Sequence, residues 1–468
     1  MAVLQLIHDM LWDNILIFLL IGTGLYFTIK FKFVQLRYFL KGFKILLNNG
    51  NDVTDGSVSS WQSFWIASAA RIGTGNIVGV AMAIMLGGPG AVFWMWLLAA
   101  LNMPIALVES TLAQIYQRKV DGQLKGGPAF YIQHGLGKKW LGQLFSIMLI
   151  LSFGLTFISV QANAISTALQ TQFALNASNI ALGLAVLVCV VLCTNLHGMA
   201  RITSMITPVM ASLYLGVAIF IMLSHPAAML NVIQQIFETA FHFEQAVAGG
   251  VAYGVTQAMM QGAQKGLFSN EAGMGSAANI AGSVDMRGRN PIEQGFIQMS
   301  GVVLDTFVIC TATAAIVLLG YDFSQPMDLT GIEIMQLTMH QHFGDIGHLM
   351  MTFAVCFFGF STILGNYIYA ENNLTFLSTQ KKYLLALKAA ILVMTCAGAV
   401  LELKTVWMFA FITLGVMTFI NLVAILRLSP KVVKYLKQYE QSDTKQPIPV
   451  SEAADATETM PQAVKTCS

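Results

Sequence analysis

The chain has 468 residues, of which 56% are hydrophobic and only 10% charged, with a net charge of +2; an ordinary soluble domain is about a quarter charged. These values exclude a soluble domain and a large basic surface for nucleic acid, and they point to a protein that crosses a membrane many times. The six cysteines, Cys189, Cys193, Cys310, Cys356, Cys396 and Cys467, follow neither a disulfide framework nor a zinc ribbon and read as core thiols. The first residues lack a cationic stretch and a cleavage site, so no secretory leader is expected.

Taking about 20 apolar residues per crossing, spans are predicted near 11–30, 61–86, 90–116, 140–166, 178–196, 202–224, 247–281, 294–320, 346–376, 383–402 and 405–427. That makes about eleven transmembrane helices in an all-α multi-pass membrane protein. After the first span, FVQLRYFLKGFKILL at 33–47 reads as an amphipathic helix on the inner membrane surface. The tail after Gln441 reads as disordered. Of the 25 Lys and Arg, all but Arg71, Lys265 and Lys404 fall in connections that share one side of the membrane. Basic residues gather on the cytoplasmic side, so an odd number of crossings is predicted in the inner or plasma membrane, with the N-terminus outside and the C-terminus in the cytoplasm.

Two spans are interrupted. RIGTGNIVG at 71–79 and QKGLFSNEAGMGSAAN at 264–279 place glycines, amides, hydroxyls and charges where lipid-facing helix is expected. Each also carries a cation five residues before an asparagine, Arg71 to Asn76 and Lys265 to Asn270. Backbone groups left unpaired in hydrocarbon cost several kcal/mol each, so broken helix at that depth implies protein, ligand or water to complete its bonding. With the first span set aside, the breaks open the first and sixth of ten spans, in halves of opposite orientation. Paired breaks of this kind mark the binding site of secondary transporters.

Gly75 and Gly79 by themselves would read as a helix-packing G-x-x-x-G pair; the polar run and its counterpart favour a site. The glycines miss the dinucleotide pattern by one residue, and no P-loop, G-x-S-x-G or H-E-x-x-H occurs, so no enzyme is expected. A channel would call for symmetric rings of charge or carbonyls, against one asymmetric pair of breaks here. Membrane-buried charges, costly at a helix centre, are expected to support the breaks: Glu109 accepting from freed amides, Arg71 and Lys265 pairing with Glu109 or Glu271, and Asp305 without an obvious partner.

The blocks ARIGTGNIVGVAMAI, GGPGAVFWMW, DGQLKGGPAFYI, GLFSNEAGMGSA and FGFSTILGNYIYAENNL, in order from about residue 60 to 376, closely resemble the alanine or glycine:cation symporter family. The resemblance implies a five-plus-five inverted-repeat core of the leucine-transporter type, with discontinuous first and sixth core helices and one extra N-terminal helix. The implied organisation is an extra helix in 1–32, a cytoplasmic amphipathic segment in 33–60, inverted repeats in 61–224 and 225–428, and a cytoplasmic tail in 429–468. The implied activity is sodium-coupled symport of a small neutral amino acid, alanine or glycine, with no cofactor beyond the coupling ion. Oligomeric state is left open, a monomer included.

The resemblance also implies roles. Amides around Gly73, Thr74, Gly75 and Asn76 would bind the substrate carboxylate. Phe268, Ser269 and Asn270 would wall the pocket, with Gly273 and Gly275 keeping it small. Gln161 and Asn163 would reach the substrate from the third core helix. Ala70 and Gly73, with Ser361 and Thr362 of the eighth, would hold sodium. At Asn366 some relatives carry tryptophan, and asparagine there leaves room for a larger substrate such as glutamine. Proton coupling is the alternative to sodium.

Overall fold

A computed structural model describes residues 10–49, 58–194, 196–241, 250–286, 288–321, 329–401 and 404–443. Nearly all of them are helical. In chain order the main helices are α1 (Ile17–Lys30), α2 (Lys41–Asn49), α3 (Ser60–Arg71), α4 (Gly75–Gly87) and α5 (Gly90–Ile115). A short hairpin, β1 (Arg118–Val120) with β2 (Gln123–Lys125), and a helix Pro128–Leu136 lead to α6 (Lys139–Phe173), α7 (Ala177–Leu192), α8 (Gly198–Ser224) and α9 (Pro226–Phe241). Then follow α10 (Gly250–Asn270), α11 (Ser276–Ala281), α12 (Ile292–Gly320), α13 (Gly331–Phe343), α14 (Asp345–Leu377), α15 (Lys381–Val400) and α16 (Lys404–Asp443).

Among the described residues seven helices are long and apolar enough to cross a membrane: α5, α6, α8, α12, α14, α15 and the Phe409–Ser442 part of α16. The pair α3 and α4 meets the same measure as one span bent by 50°. Helices α1 and α7 are apolar but shorter. Helix α10 has the length, but Gln257, Gln261, Gln264 and Lys265 lower its hydropathy. The molecule is an all-helical multi-pass membrane protein.

Local chemistry explains where helices begin. The Ser59 hydroxyl accepts from the Gln62 amide at 3.0 Å and the Gln62 side chain accepts from the Ser59 amide at 3.1 Å. This reciprocal cap satisfies two of the donors that a helix start leaves open. Thr330 and Glu333 repeat it at the start of α13.

Two expectations change. The stretch 33–47 is not one amphipathic helix: Lys32 and Phe33 take left-handed φ of 53° and 54°, a short turn Val34–Arg37 follows, and α2 begins only at Lys41. Gly42 of α2 sits directly on the backbone of Phe296, so α2 rests on α12. Helix α16 continues well past 427, through Pro430 to Asp443, its lower part held by the Arg37 to Glu440 ion pair at 2.8 Å. The expected disorder beyond residue 443 and the approach to the second break through 247–249 lie outside the described residues.

Helix α5 is the hub, packed against α10, α12 and α1. Helix α6 packs along α14 and α15. This arrangement brings α3, α10, α6 and α14 around one point.

Lys125, at the end of β2 and outside the spans, is only 3% exposed. Burial lowers its pKa from the ordinary 10.5, opposed by the Glu371 carboxylate. A lysine whose folded pKa is lowered leaves the unfolded chain binding more protons between that value and 10.5, so its contribution to stability improves as pH rises through this window. Lys125→Met is therefore expected to be more stable than wild type at neutral pH, with the advantage shrinking toward pH 10.5. Thermal unfolding of both proteins across that range checks it; a constant difference would refute it.

Candidate transport site

The first break lies between α3 and α4. Ile72 leaves the helix at ψ 72° after its amide closes on Ser68 O at 2.6 Å. Thr74 is then caught by α6, with its amide at 3.2 Å and its hydroxyl at 2.8 Å both donating to Gln161 Oε1. Arg71 stands in the last turn of α3, where the helix carbonyls carry partial negative charge and favour a cation. Its guanidinium donates to Gln298 O at 3.4 Å, its Nε has no partner, and no carboxylate of a described residue lies within 4 Å. The expected ion pairs of Arg71 with Glu109 or Glu271 are thus not made; the carboxylates are occupied by other donors.

The second break joins α10 to α11. Glu271, Gly273 and Gly275 take φ of 54°, 95° and 75°, a left-handed path that glycine adopts without a Cβ clash. Asn270 Oδ1 caps the Ala272 amide at 3.1 Å, and the Ser276 hydroxyl donates to Glu271 at 2.5 Å. Around this loop stands a polar brace. Asn421 of α16 donates to Gly273 O at 2.9 Å and to the Glu109 carboxylate, while the Tyr131 hydroxyl donates to Asn421 Oδ1. The Gly273 and Gly275 backbone lies beside the Glu109 carboxylate. Freed backbone at this depth is thereby paired with protein.

Asp305, expected to stand alone, has partners from both breaks. Asn76 donates to its Oδ1, and Ser269 and Thr306 donate to its Oδ2 at 2.8 and 3.1 Å. It sits in a π-helical stretch of α12, Val303–Cys310, and is fully buried. Lys265 lies 5.6 Å over the ring of Phe411.

Between the breaks is a small cavity. Ala70, Arg71, Gly73 and Gly75 line it from the first break, and Phe268, Glu271 and Met274 from the second. Helix α6 adds Phe153, Phe157 and Gln161, and α14 adds Thr362 and Asn366. The Thr362 hydroxyl donates to Ala69 O at 2.7 Å, and a Cβ on Gly73 would stand 2.6 Å from that hydroxyl oxygen. Asn366 Oδ1 is buried without a partner. A second, larger cavity includes Asn163, Lys265 and Thr330 and shares Gly75 and Phe268 with the first. The Phe268 ring, 4.9 Å from that of Phe157 and 6.3 Å from that of Phe411, therefore belongs to the wall between them.

Of the residues proposed from sequence, Ala70, Gly73, Gly75, Gln161, Phe268, Thr362 and Asn366 line the inner cavity. Thr74 is bonded to Gln161, and Asn76 and Ser269 to Asp305. Asn163 donates to Gly398 O at 3.1 Å. Asn270, Gly273 and Gly275 shape the second break rather than line the cavity. Ser361 bonds back to Phe358 O at 2.9 Å, the usual fate of a serine in a helix. Sequence reasoning missed Phe153 and Phe157, although both precede Gln161 at steps of four on one helical face. It also missed Tyr131 and Asn421, for which no local signal exists.

Residues 1–453 match the sequence profile of the sodium:alanine symporter family. The chain is 42% identical over 440 residues to the amino-acid carrier protein AlsT of Bacillus subtilis (strain 168), covering 94% of this chain and 92% of that protein. It is 40% identical over 432 residues to the probable sodium/glutamine symporter GlnT of the same organism, covering 92% of this chain and 89% of that one. It is 32% identical over 451 residues to the sodium/alanine symporter AgcS of Methanococcus maripaludis, covering 94% and 97%. With the profile matched almost end to end, the chain belongs to the sodium:alanine symporter family.

Proposed function

We propose that this protein is a sodium-driven symporter that imports a small neutral amino acid, alanine or glycine, by alternating access across the cell membrane. The observation that carries the reading is the cavity between two broken helices, lined by Gly73, Gly75, Gln161, Phe268, Thr362 and Asn366. The substrate carboxylate would take over main-chain amides of the first break, where Gly73 and Thr74 now donate to Arg71 O and Gln161 Oε1, and Phe268, Phe153 and Phe157 would flank its side chain. Sodium, as co-transported substrate, would use hard oxygens, the Ala69 and Ala70 carbonyls and the Thr362 hydroxyl, once that hydroxyl turns its proton away from Ala69 O. Gly73 permits this approach. The reading includes about eleven crossings, an extra N-terminal helix before two inverted halves at 61–224 and 225–428, the N-terminus outside and the C-terminus in the cytoplasm.

The driving force suffices. One monovalent ion falling through ~100 mV releases about 2.3 kcal/mol and a tenfold gradient adds about 1.4, enough to concentrate a neutral substrate a few hundredfold. Phe268, in the wall shared by the two cavities, is placed to act as the lid between the site and the larger space.

A second reading, glutamine as substrate, draws on Asn366: its buried Oδ1 has no partner, so it can accept from a substrate amide. The test is uptake of labelled alanine, glycine and glutamine into proteoliposomes, with and without an inward sodium gradient. Alanine or glycine accumulation that requires sodium, with the half-saturating sodium concentration raised about tenfold or more in Thr362→Ala, is expected. Accumulation that follows a pH gradient and ignores sodium would overturn the coupling ion; a response to glutamine alone would overturn the substrate.

A further inference from the structure

The larger cavity includes residues of α4 and α10, the halves of the broken helices on one side of the breaks. The other halves, α3 and α11, pack together on the opposite side. Every residue of α11 is buried.

A seam of neutral amides holds α11 there. Asn279 Nδ2 donates back to Gly275 O at 3.0 Å and Ser276 O at 2.9 Å, which leaves its Oδ1 for another element. That oxygen accepts from Asn372 at 3.1 Å and Asn373 at 2.9 Å, both on α14. Asn372 also donates to Gly126 O at 2.8 Å, in the link between β2 and the Pro128–Leu136 helix. At that link the chains meet backbone to backbone: a Cβ on Gly126 would stand 2.8 Å from Gly282 Cα, and one on Gly282 only 2.5 Å from Gly126 Cα.

The end of α11 is met in the same way. The last carbonyls of a helix have no partner within it. Gln114, at the end of α5, donates to Ala281 O at 2.5 Å and Val284 O at 2.9 Å. Gln117 donates to Gly282 O at 3.3 Å and Val284 O at 3.1 Å. The Val58 amide, just before α3, donates to Ser283 O at 3.2 Å. Each carbonyl from Ala281 to Val284 is thus received by a segment distant in sequence.

These bonds suit surfaces that part and rejoin. Water replaces a neutral hydrogen bond at small net loss, whereas a buried ion pair pulled apart leaves an uncompensated charge. Asn372 Oδ1 is buried without a partner, so the closed seam holds an acceptor that entering water can satisfy. Lys125 and Glu371, the sequence neighbours of Gly126 and Asn372, attract each other beside the seam, yet they form no ion pair among the described residues.

We propose that Asn279, Asn372, Gln114 and Gln117 are positioning residues that keep α11 docked, sealing the cavity on the side away from Phe268, through which substrate leaves inward. This deepens the alternating-access reading and rests on it. On the Phe268 side an aromatic ring forms the wall. On the α11 side, donors from α5, α14 and the approach to α3 must let go together, so their strength sets how much of the protein stands open inward at rest.

The experiment combines hydrogen exchange, read by mass spectrometry on the purified full-length protein in lipid nanodiscs, with uptake kinetics in proteoliposomes, for wild type, Asn372→Ala, Asn279→Ala and Gln117→Ala. Exchange in 276–284 is expected to speed up about tenfold or more in the variants, with 75–87 unchanged. A larger inward-open population leaves fewer molecules able to bind outside, so the external KM for alanine rises about threefold to tenfold while the maximal rate is kept or increased. A merely structural role would lower the maximal rate at constant KM and speed exchange in both segments. Gln117 is half-buried at the edge of the seam, so Gln117→Ala carries the test if the asparagine variants do not fold. Unchanged exchange in 276–284, equal acceleration in 75–87, or a lower maximal rate at constant KM overturns the seal while symport stands. Absence of sodium-dependent uptake by wild type overturns the symport reading, and the exchange pattern then decides the seam by itself.

Discussion

Gly75→Ala is expected to lower sodium-driven alanine uptake by about a hundredfold, while Gly79→Ala leaves it nearly unchanged. A Cβ on Gly75 would stand 2.5 Å from Cε1 and 2.6 Å from Cδ1 of Phe268. The ring cannot simply step aside, because Phe157 and Phe411 flank it. It has to shift, and with it the wall between the two cavities. A Cβ on Gly79 meets only Lys265 Cδ, at 3.9 Å, an ordinary contact. The comparison separates two accounts of one motif. If G-x-x-x-G served helix packing, both substitutions would impair the protein alike. If Gly75 shapes a substrate cavity, only the first does. Initial uptake rates in proteoliposomes, corrected for reconstituted protein, decide it; equal rates for the two variants would remove Gly75 from the site.

The second large effect concerns support rather than contact. Asn421→Leu is expected to destabilise the protein by about 3–5 kcal/mol. It removes a donor from the Glu109 carboxylate, a donor from Gly273 O and the acceptor of the Tyr131 hydroxyl at once. All three groups are buried where water cannot replace the lost partner. Asn163→Leu is the control, since that half-buried amide gives up bonds only to the Gly398 and Leu401 carbonyls near the end of α15; a loss of about 1 kcal/mol is expected. Thermal unfolding in detergent ranks the two, and a midpoint for Asn421→Leu no lower than that of Asn163→Leu would show that the second break does not depend on its brace.

The breaks themselves were legible because their signal is local. A run of glycine, asparagine and charge inside an apolar stretch conflicts with lipid at every residue, and no distant partner is needed to see it. Local signal did not by itself single out Thr362 and Gln161, which the family resemblance supplied, since a lone polar residue on an apolar helix often bonds to its own or a neighbouring helix. It failed where two roles share one chemistry. Asn76 and Ser269 have the composition of substrate ligands, yet their polar atoms turn to Asp305, 229 and 36 residues away in sequence. Ser361 and Thr362 are neighbours of similar type; successive residues of a helix point about 100° apart, so one reaches α3 and the other its own helix.

The amino-acid order by itself determined that this chain lives in a membrane, that two of its helices are interrupted at depth, and to which family it belongs, because hydropathy, glycine placement and motif order are properties of contiguous residues. Tertiary structure alone decided which polar groups line the cavity and which knit the breaks together. Glu109, Tyr131 and Asn421 acquire their partners only when α5, α16 and the Pro128–Leu136 helix pack together, and Asp305 acquires Asn76 and Ser269 only when α4 and α10 meet α12. Burial removes water as an alternative partner, so each buried donor and acceptor must find its match in whatever segment the fold brings within reach.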